Sequence, residues 1–237
     1  MKTNIFFNSI VLFVFLFSFC LEAQNKINSA GVAASYYVPV GSLSVRFLPA
    51  FSGNVFYGYK TSDAWELFSM IEYISFQKEN RERLTIKRKV NIGGGEVTRV
   101  FDIPKLEMHL KIYGASANGS YRLFGNNFMK SNLIFGFGIY RWEGFRSAYF
   151  DTLRIDTLGI TYDAVILQVP ALKQLDWSGG FNVGMNLSAK IIDPIWFDVS
   201  ASYKVIIGEL WATLNLDLEN VSAFQMVELK AGVRVKF

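Results

Sequence analysis

The segment "VELKAGVRVKF" (227–237) alternates apolar and polar residues without interruption. One side carries the apolar residues Val227, Leu229, Ala231, Val233, Val235 and Phe237. The other side carries Glu228, Lys230, Gly232, Arg234 and Lys236. A period of two is typical of a β-strand whose two faces meet unlike environments. The segment therefore predicts a strand, and the identity of whatever touches its apolar face decides the class of protein.

Seven further segments share this alternation, so the sequence predicts eight strands. Their ranges are 29–38, 49–60, 64–77, 105–123, 131–146, 175–190, 195–208 and 223–237. The alternation in 105–123 changes phase near Tyr113 to Ala115, which predicts a β-bulge. Short connections alternate with long ones, near 78–104, 147–174 and 209–222, and this favours an antiparallel up-and-down order. Strand-like stretches around Gly93–Gly95 predict a hairpin, so ten strands stay an alternative.

The N-terminal residues indicate export. Lys2 precedes an apolar run from Ile5 to Cys20, which predicts a signal peptide over 1–23 and one mature domain over 24–237. The run is shorter than the roughly 20 residues of a spanning helix, which disfavours an uncleaved anchor. Acylation of Cys20 is a weaker alternative because Phe19 precedes it. The net charge of +4 is too small and too scattered to predict nucleic-acid binding.

Two features favour a lipid-facing barrel over a soluble one. The polar faces are rich in glycine, serine and asparagine, which suit a crowded lumen. Aromatic residues gather at strand ends and predict two girdles around an apolar band. The girdle at the short turns comprises Tyr59, Trp65, Tyr121, Phe124, Phe128, Trp196 and Phe237; the other comprises Phe76, Trp142, Phe145 and Trp177. We therefore expect an eight-stranded antiparallel transmembrane β-barrel in the bacterial outer membrane, with short periplasmic turns and long extracellular loops.

At this point the chain resembles the small outer-membrane barrels of the OmpX, OmpW and OmpA-domain kind, and most of all the PorT-like barrels of the Bacteroidetes. The resembling stretches are "EAQ", "YDAVILQVPALKQL", "GGFNVGMNLSAKIIDPIWFDVSASYKVI" and "VRVKF". The resemblance implies that the terminal strand, with Val233, Val235 and Phe237, is a signal for the barrel-assembly machinery. It also implies a role in envelope secretion as one alternative.

Charged residues supply the candidate sites. Eight are expected to face the lumen: Glu66, Glu72, Asp198, Lys204, Glu228, Lys230, Arg234 and Lys236. Both signs occur on neighbouring strands, which predicts an ion-pair network that packs a polar lumen. A narrow passive channel is the alternative. A basic loop, with Arg81, Arg83, Lys87, Arg88 and Lys89, suits lipopolysaccharide phosphates or is simply solvated.

Enzymatic chemistry has little support. His109 is the single histidine, and Glu107 in phase with it offers a weak acid–base pair. The His-x-Ser spacing of the lipid A deacylases, which are also eight-stranded barrels, is absent, so a lipid-modifying barrel enzyme is the weakest alternative. The repeated "DTL" at 151–153 and 156–158 matches no calcium loop. We therefore expect no catalytic residue, no cofactor and no metal. The expected role is structural or one of surface recognition through the loops, with outer-membrane lipid and lipopolysaccharide as contacts and an unknown surface or secretion partner.

Overall fold

The computed structural model describes residues 28–92, 95–103, 106–157, 160–212, 218 and 220–237. The predicted signal peptide, 1–23, and its cleavage site lie outside these ranges. Within them, no helix has both the length and the apolar character needed to cross a bilayer.

Twelve strands and one short helix follow each other in these ranges. The strands are β1 (Asn28–Val40), β2 (Ala50–Lys60), β3 (Trp65–Phe76), β4 (Thr85–Ile92), β5 (Gly95–Asp102), β6 (Met108–Gly125), β7 (Met129–Arg146), β8 (Tyr149–Thr157), β9 (Ile160–Val169), β10 (Leu172–Ile192), β11 (Ile195–Leu210) and β12 (Val221–Lys236). The helix, α1, spans Leu43–Arg46.

Eight of the strands close into one antiparallel barrel, in the order β1-β12-β11-β10-β7-β6-β3-β2. The first and last strands form the seam, where the Asn28 amide donates to the Phe237 carbonyl at 2.7 Å and the Phe237 amide donates back at 2.9 Å. The prediction of eight barrel strands is confirmed. The remaining four form two separate hairpins, β4–β5 and β8–β9, outside the barrel, so the ten-strand alternative is wrong.

The connections divide the barrel into two ends. Tight turns link β2 to β3, β6 to β7, and β10 to β11 at one end, called here the short-turn end. The opposite, long-loop end carries α1, both hairpins and the connection from β11 to β12. The sequence predicts the hairpin at 85–102, whereas for 147–174 it predicts only a long connection, which the structure shows to contain the hairpin β8–β9. We call the wall next to the short turns the lower half and the rest the upper half.

The outer wall of the lower half is apolar and exposed. Phe137 and Ile71, on β7 and β3, expose 73% and 64% of their surface, and their neighbours on the same face are also exposed. Adjacent strands repeat the alternation, with Val199 outward and Ser200 buried inside. Exposed apolar surface on this scale indicates contact with lipid or with another protein. The face assignments made from the sequence agree with this arrangement.

Three of the predicted girdle residues face the lumen instead. Phe76 and Trp142 are buried in the upper half, and Trp196 is buried at the short-turn end. They occupy inward positions of the alternation. Proximity to a strand end is therefore not enough to show that an aromatic side chain faces outward. Trp65 and Trp177 do face outward, in line with the prediction.

The bulge predicted at Tyr113 to Ala115 is also wrong. Strand β6 pairs with β3 and with β7 through this region without a shift of register. The irregularity lies lower, between Arg122 and Phe124. Tyr113 and Ala115 both point outward, so the strand keeps one phase. What changes there is the polarity of the two faces: the inward face is apolar before Tyr113 and polar after it.

Candidate functional site: a charged lumen beneath an apolar plug

The middle of the lumen is organised around Lys204 of β11, which is fully buried. Its ammonium group forms ion pairs with Glu72 and, at 3.5 Å, with Glu228. The Tyr37 hydroxyl lies within hydrogen-bond distance of both carboxylates, and its one proton can be donated to either. Ser35 also donates to Glu228, at 2.7 Å. This side-chain cluster satisfies charges that would otherwise be costly to bury.

A second cluster lies closer to the short-turn end and is organised around Arg234 of β12. Its Nε donates to Asp198 at 2.7 Å and its Nη1 donates to Glu66 at 2.6 Å. Ser188 donates to Asp198 at 2.5 Å, and Ser29 donates to Glu66 at 2.9 Å. Together with the Lys204 cluster, these residues form what we call the lumen network. Its ion pairs cross the lumen and join β3, β11 and β12.

All eight charged residues predicted to face the lumen do lie on inward positions. Six of them take part in the ion pairs just described. Lys230 and Lys236 form no ion pair within the described residues. The Lys230 ammonium lies 3.7 Å from the Met70 sulfur, and the Lys236 ammonium lies 4.1 Å from the centre of the Trp196 ring.

Tyr140 of β7 lies directly above the Lys204 cluster and marks its upper limit. Its ring lies against three strands at positions that are glycine: a Cβ at Gly114, Gly138 or Gly180 would come within 2.9 Å of ring atoms or the hydroxyl. The Lys204 ammonium lies 6.0 Å from the ring centre. The ring therefore separates the charged layer from the apolar layer above it.

The upper half of the lumen is filled by apolar side chains, which we call the apolar plug. The barrel strands supply Ile74, Phe76, Leu110, Ile112, Trp142, Ile206, Leu210, Phe224 and Met226, all buried. Trp142 and Phe224 meet edge to face with 5.2 Å between ring centres. The expectation of a polar lumen is therefore correct for the lower half and wrong for the upper half.

The connection between β1 and β2 covers the plug from the long-loop end. Leu43 and Phe47 are buried against it, and the Phe47 ring lies 5.8 Å from that of Phe76. Arg46 is also buried and donates to the Trp211 carbonyl at 3.0 Å. Burial, together with the nearby charge of Arg146, lowers the pKa of Arg46 to about 10. The guanidinium stays charged at neutral pH and fastens the cover to the β11–β12 connection.

The hairpin β4–β5 carries most of the predicted basic loop. Leu84, Ile86 and Ile103 at its base are buried in the plug, whereas the strands beyond them are mostly exposed. Arg88 and Arg99 occupy directly opposed positions on the two strands. Like charges in that arrangement destabilise a hairpin.

The other predicted cations of this loop are exposed or weakly paired. Lys89 pairs with Glu96 at 3.3 Å on the surface, and Arg81 lies 3.9 Å from Glu79. Arg83 donates to the Ser44 hydroxyl at 3.2 Å, and Lys87 is exposed. Surface pairs of this kind contribute only about 0–1 kcal/mol, so these cations stay available to a ligand.

His109 and the "DTL" segment do not form a site in the described part of the chain. The His109 ring stacks on Phe145 with 5.6 Å between centres, and its Nδ1 is buried without a hydrogen-bond partner there. Asp151 accepts hydrogen bonds from Tyr149 and from the Thr152 amide, and the side chains of Asp156 and Asp163 lie outside the described ones. The described residues hold no group of three or more histidine, cysteine, aspartate or glutamate side chains placed for a metal ion.

The terminal residues Val233, Val235 and Phe237 all project outward at the short-turn end. Their predicted role in assembly concerns a step before this structure exists, and it stays a prediction.

Comparisons with known proteins bear on the fold. No family model and no curated protein matches the chain. Among solved structures, a major outer membrane protein from Thermus thermophilus matches with a TM-score of 0.54 and 10% identity, covering 90% of this chain and 100% of that one. Neisserial surface protein A matches with a TM-score of 0.48 and 18% identity, covering 92% and 100%.

The attachment invasion locus protein Ail of Yersinia pestis matches with a TM-score of 0.41 and 13% identity, covering 90% and 97%. At these sequence identities a match describes the fold alone. Of the three, only the Thermus structure has a TM-score high enough to support the assignment of the fold. The fold matches that of bacterial outer-membrane β-barrels.

Proposed function

We propose that this chain is a non-enzymatic protein of the bacterial outer membrane whose lumen is sealed and whose extracellular hairpins recognise an anionic surface ligand. The observation that carries the proposal is the apolar plug lying directly on the lumen network. With the upper lumen filled, the hairpins at the long-loop end are the part of the molecule that can reach a ligand at the cell surface. The partial resemblance to OmpX-like and PorT-like barrels agrees with this placement.

The outer wall supports a membrane location. In lipid every backbone polar group needs an internal partner, and a closed barrel provides one for each strand. The exposed apolar belt of the lower half matches the lipid-facing band of such barrels. Cell fractionation with heat-modifiable gel migration tests this placement, and recovery of the native chain in the soluble periplasmic fraction would contradict it.

The plug disfavours the alternative of a passive channel. An ion that crossed the lumen would have to pass the edge-to-face contact between the buried Trp142 and Phe224 rings, which offer it little to replace its water. We therefore expect the purified protein to give no stable conductance steps in planar lipid bilayers. Reproducible steps that vanish when Gly208, which touches Phe224, is replaced by phenylalanine would establish a lumenal path and refute the sealed lumen.

The opposed Arg88 and Arg99 favour recognition of an anion by the β4–β5 hairpin. Two guanidinium groups at opposed positions can both donate charge-assisted hydrogen bonds to one phosphate. Lipopolysaccharide of the outer leaflet presents such phosphates near the rim of a barrel.

The variant R88Q/R99Q tests this proposal. We expect its affinity for lipopolysaccharide to fall at least about tenfold, because two charge-assisted contacts are lost. The stability of the unliganded barrel should be nearly unchanged, because both side chains lie on the surface of the hairpin outside the barrel. The matched control K60Q/K190Q removes two cations at the opposite end. An equal loss of affinity in the control would show that net charge, and not this hairpin, holds the ligand.

A further inference from the structure

The short-turn end of the lumen contains a small basic chamber below the lumen network. Its volume is about 40 Å³, and its walls come from the inward faces of β3, β6, β7, β10 and β12 and from the turn after β2. Five cationic side chains line it against two carboxylates. Both carboxylates are already engaged, Glu66 with Arg234 and Asp63 with Lys60.

Three of the cations have no counter-charge. Arg122, Lys130 and Lys236 form no ion pair within the described residues. Lys130 and Lys236 both place their ammonium groups over the Trp196 ring, 4.6 and 4.1 Å from its centre. A ring face attracts cations but supplies far less than a carboxylate does. The chamber therefore holds three cations that have no carboxylate within ion-pair distance among the described residues.

Neutral donors complete the chamber. Ser120 and Asn132 are buried, line the same space, and make no side-chain hydrogen bond to any described residue. A hydroxyl and a carboxamide left open beside three cations are the groups that a tetrahedral oxyanion accepts hydrogen bonds from. Polar groups that open onto one space without a protein partner are available to a ligand or to solvent.

We propose that the chamber between Arg122, Lys130 and Lys236 binds a phosphate-class oxyanion at the periplasmic mouth of the barrel. The anion would neutralise the three cations and accept hydrogen bonds from Ser120 and Asn132. Its size limit follows from the chamber volume, which admits a single phosphate group. Such a group has two sources, inorganic phosphate in the periplasm or the headgroup of a phospholipid in the inner leaflet. The site is independent of the hairpin proposed above, at the other end of the barrel.

The test uses the whole mature chain, folded in a neutral detergent. Isothermal titration with sodium phosphate, against sodium chloride of equal ionic strength, should show saturable binding of one ion per chain. Titration with dihexanoyl-phosphatidylglycerol separates the sources: saturation by phosphate identifies the free ion, and saturation by the lipid alone identifies the headgroup. Saturation by neither ligand would overturn the proposal.

Single variants locate the site. K130Q and K236Q should each weaken binding at least about tenfold, the loss expected for one hydrogen bond between charged groups. The control K190Q removes a lysine at the same end that is paired with Asp193 at 2.6 Å, and it should bind like the parent protein. Heat-modifiable migration verifies that each variant is folded. An equal loss of phosphate affinity in K190Q would show that the net charge of this end, and not a defined chamber, holds the anion. If a variant fails to fold, the parent protein is titrated with phosphate in the presence of sulfate or of chloride. Competition by sulfate but not by chloride supports an oxyanion site, and equal competition by both salts contradicts it.

Discussion

The lower and upper halves of the barrel use the same strands with opposite polarity. On β6, the lower half has Ser116 and Asn118 inside and Ala117 outside, whereas the upper half has Leu110 inside and Lys111 outside. The inversion occurs near Tyr113 without any change in backbone phase. In the lower half the apolar surroundings lie outside the wall, and in the upper half they lie within it. Alternation therefore locates a strand, but it does not by itself show whether the apolar face lies inside or outside the barrel.

The largest expected effect comes from breaking the lumen network. Lys204→Ala leaves two buried carboxylates, Glu72 and Glu228, without their cation, so we expect a loss of about 3–5 kcal/mol in the free energy of unfolding. Urea titration in detergent, followed by tryptophan fluorescence, measures it.

Two further variants control that experiment. Lys190→Ala breaks an exposed pair with Asp193 and should cost no more than about 1 kcal/mol. The neutral set K204M/E72Q/E228Q should recover much of the lost stability, because no charge is then left unpaired. Equal losses for Lys204→Ala and Lys190→Ala would contradict a desolvated network.

The next effect concerns the outer wall. Val199→Arg places a cation on the lower half, where we expect lipid, and should cost about 2–4 kcal/mol. Gln77, just beyond β3 at the long-loop end, is exposed above that belt, and Gln77→Arg should cost about 0–1 kcal/mol. Unfolding in lipid vesicles gives both values. If arginine is tolerated equally at the two positions, the inversion of the outer face is not caused by a bilayer.

The smallest effect compares two adjacent glycines on β10. Gly180 faces the lumen, where an added Cβ would lie 2.7 Å from the Tyr140 ring and from the Val205 carbonyl oxygen, so Gly180→Ala should cost about 1–3 kcal/mol through overpacking. Gly179 faces outward with nothing within 4 Å, and Gly179→Ala should be neutral or stabilise by about 0.5–1 kcal/mol. Thermal unfolding measures both changes in stability. If Gly179→Ala proved more destabilising than Gly180→Ala, the packing of the Tyr140 ring against Gly180 would be contradicted.

The eight barrel strands could be predicted because their alternation is long and regular in the lower half. The inward position of Lys204 and Arg234 followed from the same phase. Their partners did not follow: Glu72 lies 132 positions from Lys204, and Glu66 lies 168 from Arg234, so a closed barrel is needed to bring them together.

The plug escaped prediction because a real inversion of both faces imitates a bulge. Around Tyr113 the apolar residues move from even to odd positions, which a single sequence cannot distinguish from an inserted residue. The buried Phe76 and Trp142 were predicted to be girdle residues because they lie near strand ends, where the inversion of the faces places them inside the barrel. The signal that would have separated the cases is the charge on the outer positions Lys111 and Arg141, which lipid does not favour.

The seam between β1 and β12 carries a practical consequence. Because Asn28 and Phe237 are already bonded neighbours, a short glycine–serine linker can join them, and new termini can be opened in the exposed turn between Ser62 and Asp63. Such a circular permutant keeps every strand neighbour while moving Phe237 into the interior of the polypeptide. It therefore separates what β12 contributes by its place in the wall from what it contributes by its position in the order of the strands along the polypeptide.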